Sequence, residues 1–170
     1  MTNHLILCLE TNNKAKTDTA YVDKTIKYFF KINNNIKISY CYFSGKNNYK
    51  NSAILSKINS LQEKTPCDNT TVIYCIDTDN YDSNPSQVAL NEEIKTYCNS
   101  KGYKLIWFCK DVEEVYWHTQ IPDSKKIEAA RKFNKHSNLM NATEQSLSSN
   151  TYAKKKSNVL KVLDQILVRK

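Results

Sequence analysis

Glycine and proline are scarce in this chain of 170 residues, with two and three copies respectively. So few turn-forming residues leave little material for long linkers, or for a β-sandwich with its many tight turns. Abundant lysine, asparagine, isoleucine and tyrosine are instead typical of an α/β chain. Because 40% of the residues are hydrophobic, the chain can bury one core, and we predict a single domain covering residues 1–170.

Long hydrophobic runs are also missing. The opening apolar run, Leu5 to Leu9, is too short for the core of a secretory signal, and no other stretch approaches the length of a membrane span. We therefore predict a cytoplasmic protein with no membrane partner. No internal repeat is present either.

None of the six cysteines belongs to a C-x-x-C pair, and they form no regular framework. Four of them lie inside apolar, strand-like stretches. Reduced and buried thiols explain this distribution better than disulfides or a zinc site do. The cysteines are Cys8, Cys41, Cys67, Cys75, Cys98 and Cys109.

Acidic residues are outnumbered, since 17 Asp and Glu face 25 Lys and Arg, which gives a formal net charge of +8. Such a charge favours a polyanionic partner such as nucleic acid, but it does not separate DNA from RNA, and it can also serve solubility alone. Nine basic residues are predicted to contact substrate phosphates, or otherwise to form a solvated face. They are Lys110, Lys125, Lys126, Arg131, Lys132, Lys135, Lys154, Lys155 and Lys156.

Four apolar stretches rich in β-branched and aromatic residues predict strands near residues 4–10, 36–43, 70–77 and 103–109. Amphipathic segments separate them, with helices predicted after an Asp18 cap, from Asn51 to Glu63, and around Leu90 to Cys98. Strands joined by such crossovers must be parallel. The sequence therefore predicts an α/β fold with a mainly parallel, four-stranded sheet and helices on both faces.

The last third of the chain is predicted to be a basic helical extension, residues 121–170. Asp111 should cap a short helix that ends at His118, and a basic helix should follow from Asp123 to Lys135. Residues 138–149 have the composition of a mobile polar connection, and a final amphipathic helix is predicted from 152 to 168.

Acidic side chains close three of the predicted strands. Glu10 ends the first strand, Asp77 and Asp79 end the third, and Glu113 and Glu114 follow the fourth. Ligands bind at the carboxyl edge of open parallel sheets, and hard cations prefer carboxylate oxygens. Since gathered acids repel one another without a counterion, we predict that Glu10, Asp77 and Asp79 bind Mg²⁺ or Mn²⁺, with Glu113 or Glu114 at the rim.

Each of these acids also has a plain structural explanation. Glu10 can be an ordinary surface acid at a strand end, and Asp77 and Asp79 can be turn formers. Glu113 and Glu114 would be favoured by the helix dipole in a first helical turn, whatever their function. His118, His136, Tyr116 and Trp117 are likewise interpreted as packing or solvent-facing residues, and not as catalytic groups.

The pattern of a Glu closing the first strand and Asp77-Thr78-Asp79 closing the third resembles the Toprim superfamily of topoisomerases, primases and small nucleases. The turn from Lys110 to Glu114 is similar to the strand-helix acid of OLD-type and RloB-like members. The resemblance covers residues 4–120, which would form a Toprim-like core. Family members usually place glycine after the first Glu, whereas this chain has Thr11.

What the resemblance implies is a Mg²⁺-dependent endonuclease for DNA or RNA, including tRNA. Several members it resembles belong to phage-defence systems, so an ATPase partner protein and a homo-oligomer are further implications. The alternative is a catalytically inactive, Toprim-like binding or regulatory subunit of a larger defence complex. A receiver-like signalling domain is disfavoured, because receivers place paired acids after the first strand.

Overall fold

The computed structural model describes residues 1–170, and its centre is a four-stranded sheet in which every strand pair is parallel. In spatial order the strands are β2 (Ile36–Tyr42), β1 (Asn3–Leu9), β3 (Asn69–Asp77) and β4 (Lys104–Phe108). The predicted α/β fold with a parallel sheet is confirmed. All four strands end at one edge of the sheet, which we call the carboxyl edge.

Six helices join and cover the strands. The sequence places good start and stop signals at two of them. Asn84 accepts a hydrogen bond from the Ser86 backbone N–H before the third helix, which ends at Gly102 with a φ of 69°. Asp111 accepts one from the Glu114 N–H at 2.7 Å, as predicted for a cap. The helices are α1 (Thr17–Phe29), α2 (Ser52–Lys64), α3 (Pro85–Lys101), α4 (Val112–Trp117), α5 (Lys126–Lys135) and α6 (Val159–Leu163).

Hydrophobic side chains alternate between the two faces of the sheet and form two cores. On one face, Leu5, Leu7 and Leu9 pack with residues of α1, α4, α5 and α6. On the other, Ile6 and Cys8 pack with residues of α2 and α3. Helices therefore lie on both faces, as predicted. The period-two alternation of a strand buried on both sides accounts for this division.

The predicted helix from 152 to 168 is wrong, because only α6 (Val159–Leu163) is helical there. The residues before α6 instead cover the open edge of β4. The Asn158 side chain donates to Leu105 O at 2.9 Å and accepts from Trp107 N at 2.8 Å. Covering an exposed strand edge satisfies backbone groups that a helix would have left open.

Residues 138–149 are also not the loose connection that their polar composition predicts. Leu139 and Leu147 are buried in the core beside α1 and α6. Thr143 and Ser146 hold the turn between them by exchanging side-chain and backbone hydrogen bonds. Two apolar anchors are enough to pack a segment that is otherwise polar.

All six cysteines are free thiols, and every one except Cys67 is buried. None of the helices combines the length and the apolar character that crossing a membrane requires.

Candidate functional site

The carboxyl edge holds an open cleft of about 370 Å³ lined without any hydrophobic side chain. Glu10 reaches it from the end of β1, Asp77 from the end of β3, and Asp18 from the first turn of α1. Lys126, the first residue of α5, lines the same cleft. The structure thus brings Glu10 and Asp77 together and adds Asp18, which sequence reasoning had treated only as a helix cap.

Asp18 does not cap α1, because the residue before the helix is Lys16 in a left-handed conformation without a side-chain cap. The Asp18 carboxylate instead accepts hydrogen bonds from the Thr11 N–H at 3.3 Å and from the Thr17 hydroxyl at 3.2 Å. It therefore holds the loop after β1 against the start of α1. Asp18 thereby fixes the backbone of Thr11, which directly follows Glu10.

Three buried or part-buried side chains hold the backbone at the end of β3. The Asp77 N–H donates to Glu10 Oε2 at 3.0 Å, and Lys46 Nζ donates to Asp77 O at 2.8 Å. The Asn91 side chain, fully buried on α3, donates to Thr78 O at 3.1 Å. Glu10, Lys46 and Asn91 thus fix the two carboxylates of this turn from three separate elements.

The ladder with β4 continues beyond the strands into the same turn. The Thr78 N–H donates to Phe108 O at 2.9 Å, and the Asp79 N–H donates to Lys110 O at 2.8 Å. Asp79 takes a left-handed conformation with a φ of 51°, which turns the chain away from the sheet. Its side chain consequently leaves the direction of Asp77 and does not line the cleft.

Asp79 faces Lys46, a residue that sequence reasoning missed. Lys46 lies in the 3-10 turn Lys46–Asn48 between β2 and α2, and its Nζ is 2.6 Å from Asp79 Oδ2. Only 5% of Lys46 is exposed. The available signal was Gly45, which lies after the end of β2, because a lone glycine often marks a backbone turn, here with a φ of 109°.

Lys126 collects a second set of acids. Its Nζ lies 3.2 Å from Glu113 Oε2, 3.4 Å from Asp111 Oδ2 and 3.7 Å from Asp123 Oδ1. Glu113 is 1% exposed, and its Oε1 has no hydrogen-bond donor. Lys126 is therefore the counter-charge for a buried carboxylate, which is more than the phosphate contact predicted for it.

The two neighbouring glutamates of α4 point to different surroundings. Glu113 faces Lys126 and Asp18 on the cleft side. Glu114 lies toward Tyr81 and Cys109. Burial is the main cause that raises the pKa of Tyr81 and of Cys109, and the charge of Glu114 raises both further. The two predicted rim acids thus have different surroundings, and only Glu113 contacts Lys126, which lines the cleft.

Burial and mutual repulsion shift the titration of the cleft carboxylates. Burial raises the pKa of Glu10 to about 7, although the Asp77 N–H and Lys46 act in the opposite direction. Burial also raises the pKa of Glu113 to about 7, with Lys126 opposing. The pKa of Asp77 is raised well above its usual value by burial and then by Asp18 and Glu10. Burial is the largest cause in each case, so these carboxyl groups keep their protons to higher pH than exposed ones do.

The pKa of Lys126, which also lines the cleft, depends on the same carboxylates. Burial tends to lower the pKa of Lys126, but Glu113, Asp111 and Asp77 outweigh that effect and raise it. Lys126 therefore stays protonated at any physiological pH. Its positive charge is a permanent part of the cleft.

The donor chemistry of the cleft fits Mg²⁺ or Mn²⁺, because its acidic side chains offer carboxylate oxygens and the adjacent Glu113 Oε1 is buried without a partner. No three acidic, histidine or cysteine side chains stand close enough together to hold an ion in this conformation. Asp79 faces Lys46, and Glu113 faces Lys126. Glu10, Asp77 and Asp18 are the acids that line the cleft and would hold a metal there.

The other basic residues predicted to bind substrate are spread around the cleft. Lys110 is 3.9 Å from Asp82, and Lys132 pairs with Glu128 on α5. Four more lie at or near the surface without an acidic partner: Lys125, Arg131, Lys135 and Lys154. Lys155 and Lys156 are part-buried in the loop that covers β4, where Lys156 O accepts from the Cys109 N–H at 2.9 Å. That bond places the loop at the carboxyl edge.

Comparison of the chain with protein-family models, with curated protein sequences and with solved structures found no match. Its function is therefore inferred from the residues and the geometry of the carboxyl edge.

Proposed function

We propose that this protein is a Mg²⁺- or Mn²⁺-dependent nuclease that hydrolyses phosphodiesters of DNA or RNA, tRNA included. The observation that carries the proposal is the convergence of Glu10, Asp18 and Asp77 in one open polar cleft at the carboxyl edge. Ligand sites of parallel α/β sheets lie at this edge. Carboxylates crowded there, with raised pKa values, favour a divalent cation as their counterion.

The chain's own residues suit such chemistry in distinct ways. Glu10, Asp77 and Asp18 would hold the ion, which when bound supplies a Lewis acid to a phosphate oxygen and lowers the pKa of a bound water. Glu113 has a pKa of about 7 and can exchange a proton at neutral pH. Lys126 presents a permanent positive charge to a phosphate at the cleft.

A net charge of +8 and a basic loop at the carboxyl edge, next to the end of β4, support nucleic acid as the substrate. The phosphates that flank the one at the cleft would be contacted by Lys154, Lys155 and Lys156. The Toprim-like arrangement of the acids suggests a place in phage defence, with an ATPase protein as partner. Both of these are proposals from the resemblance alone.

A second function is favoured by one specific observation. Lys46 and Lys126 already neutralise Asp79 and Glu113, and no three potential ligands are close together. A protein whose lysines permanently replaced the metal would bind nucleic acid at the same edge without cutting it. This is the inactive binding or regulatory subunit that the resemblance also allows.

A cleavage assay separates the two functions. Labelled DNA, structured RNA and tRNA are incubated with the protein in Mg²⁺, in Mn²⁺ and in chelator. Asp77→Asn is the test variant, because an asparagine Oδ1 can still accept the Val112 N–H bond that Asp77 Oδ1 accepts at 2.9 Å. Glu63→Gln, at an exposed position of α2, is the control for general charge effects.

The nuclease proposal expects metal-dependent cutting by the natural protein and by Glu63→Gln, and none by Asp77→Asn, with nucleic-acid affinity retained by all three. It also expects divalent metal to raise the Tm of the natural protein but not that of Asp77→Asn. Binding without cutting of any substrate in either metal, with an ATPase partner also tested, would support the binding subunit instead.

A further inference from the structure

Lys46 is the most enclosed lysine at the carboxyl edge. Its side chain is 4% exposed, while that of Lys50, one helical turn further along, is 59% exposed. Lys46 Nζ has two protein acceptors, Asp77 O at 2.8 Å and Asp79 Oδ2 at 2.6 Å. An ammonium group offers three donors, so the protein accounts for two of them.

The Lys46 ammonium contacts the Asp77–Asp79 turn, and this turn also carries Asp77, a ligand of the proposed metal site. A divalent ion held by Glu10 and Asp77 would lie next to it, and two cations at that separation repel strongly where water is scarce. Lys46 also acts on Glu10 through its charge. The ammonium, held by Asp77 O and Asp79 Oδ2, and an ion held by the side chains of Glu10 and Asp77 therefore compete for the same negatively charged turn.

The backbone that carries Lys46 is fixed, so any movement belongs to the side chain. The Gly45 N–H donates to Glu10 O at 2.9 Å, and the Asn48 side chain donates to Ser44 O at 2.9 Å. Tyr49, directly after the 3-10 turn, is buried. The four flexible bonds of a lysine side chain allow its ammonium to leave while the turn stays in place.

We propose that Lys46 is a displaceable counter-cation, whose ammonium neutralises the Asp77–Asp79 turn in the metal-free protein and swings into solvent when a divalent cation binds. The inference rests on the proposed metal-dependent function. Once the ammonium leaves, Lys46 is free to meet a phosphate of the substrate.

Lysine acetylation measures the displacement directly and without any cleavage. The natural protein is treated with an amine-acetylating reagent, with no metal, with Mn²⁺ and with Mg²⁺, and each lysine is quantified by mass spectrometry. We expect Lys46 to be protected without metal and to react about tenfold faster with either ion, in line with a tenfold shift in its exposed population. Lys50 is the internal control, and its rate should change less than about twofold, because its exposure is already high.

Manganese affinity, measured by calorimetry without nucleic acid, tests the competition. Lys46→Gln and Lys46→Met remove the charge, and we expect both to bind Mn²⁺ about tenfold more tightly than the natural protein, a change of about 1.4 kcal/mol. Lys46→Arg keeps the charge and Lys50→Met removes an exposed one, so both should bind as the natural protein does. Circular dichroism and Tm establish that each variant is folded, and the glutamine variant keeps a donor for Asp77 O if the methionine variant does not fold.

The outcomes separate this inference from the proposed function. Mn²⁺ binding that leaves Lys46 protected, or that is equal or weaker in folded Lys46→Gln, would overturn the displacement and leave the metal site standing. Absence of Mn²⁺ binding from the natural protein and from all four variants would overturn the proposed function itself. Faster acetylation of Lys46 together with tighter binding in Lys46→Gln supports both.

Discussion

Two lysines neutralise acids at the carboxyl edge, and they do so in different ways. Lys46 meets one carboxylate, Asp79, whose side chain is 44% exposed, together with a backbone carbonyl. Lys126 meets three carboxylates, and one of them, Glu113, is almost fully buried. Asp79 is exposed enough to exchange its lysine for water, so Lys46 can move. Glu113 is too buried to do so, and loss of Lys126 would therefore destabilise the fold.

The largest effect that separates the two lysines should come from Lys126→Met. Removing this lysine leaves Glu113 buried without its counter-charge, which we expect to lower the free energy of unfolding by about 3 kcal/mol at pH 8. At pH 5 the loss should be smaller, because Glu113 then takes up a proton and needs no partner. Urea denaturation at the two pH values measures both.

Lys132→Met is the matched control, since Lys132 lies on the same helix in an exposed pair with Glu128. It should change the free energy of unfolding by less than about 0.5 kcal/mol at either pH. A Lys126 variant that behaves like this control, or that is destabilised equally at pH 5 and pH 8, contradicts the role assigned to Lys126.

The next largest effect concerns the pH dependence of the natural protein. Burial raises the pKa of Glu10 and of Glu113 from the usual 4.5 to about 7. Between these values the folded state binds more protons than the unfolded state, so the free energy of unfolding should fall as pH rises from 4.5 to about 7. For Glu113 alone, the linkage amounts to about 2 to 3 kcal/mol.

Thermal unfolding across pH 4 to 9 measures this dependence. Glu113→Gln should flatten the curve between pH 5 and 7, because it removes one of the carboxyl groups that titrate there, while Glu63→Gln should leave its shape unchanged. Stability that rises with pH through this interval would show that both pKa values are normal or lowered.

The sheet could be predicted from the sequence because its signals are local. Each strand is an apolar run of five to nine residues, and Asp111 and Gly102 mark helix ends by chemistry that needs no tertiary partner. The helix predicted from 152 to 168 failed for the opposite reason. Asn158 and its neighbours satisfy the backbone of β4, and no local pattern records which strand edge lacks a partner.

The site could be predicted only where strand ends determine it. Glu10 and Asp77 follow parallel strands that are neighbours in the sheet, so their convergence is a consequence of topology. Lys46, Asp18 and Asn91 come from a turn and two helices whose orientation depends on packing. The turn of Asp79 away from the cleft is likewise set by one left-handed residue, which amino-acid composition does not reveal.

The contrast between the glutamates of α4 offers a smaller effect. Since Glu113 contacts Lys126 of the cleft lining and Glu114 does not, Glu113→Gln should slow metal-dependent cleavage by about tenfold to a hundredfold, as expected for loss of a proton-exchanging group. Glu114→Gln should slow it by less than about threefold, because Glu114 contributes only to the packing of the other side. Single-turnover rates at pH 7 compare them. Equal losses of rate in both variants would show that Glu113 and Glu114 act at the same site.

The smallest effect should come from the loop that covers β4, because its lysines are proposed to contact flanking phosphates and do not line the cleft. Replacing Lys154, Lys155 and Lys156 together by glutamine should weaken nucleic-acid binding and reduce its salt dependence by about one unit of slope for each phosphate that is no longer neutralised. Lys156 holds Cys109 through its backbone oxygen, which glutamine keeps, so the Tm should stay within about 2 °C of the natural value. Titrations at several salt concentrations give the slope. The single-turnover rate at saturating nucleic acid should remain unchanged, since the charges removed lie outside the cleft. A fall in that rate would show that the loop takes part in the reaction and not only in binding.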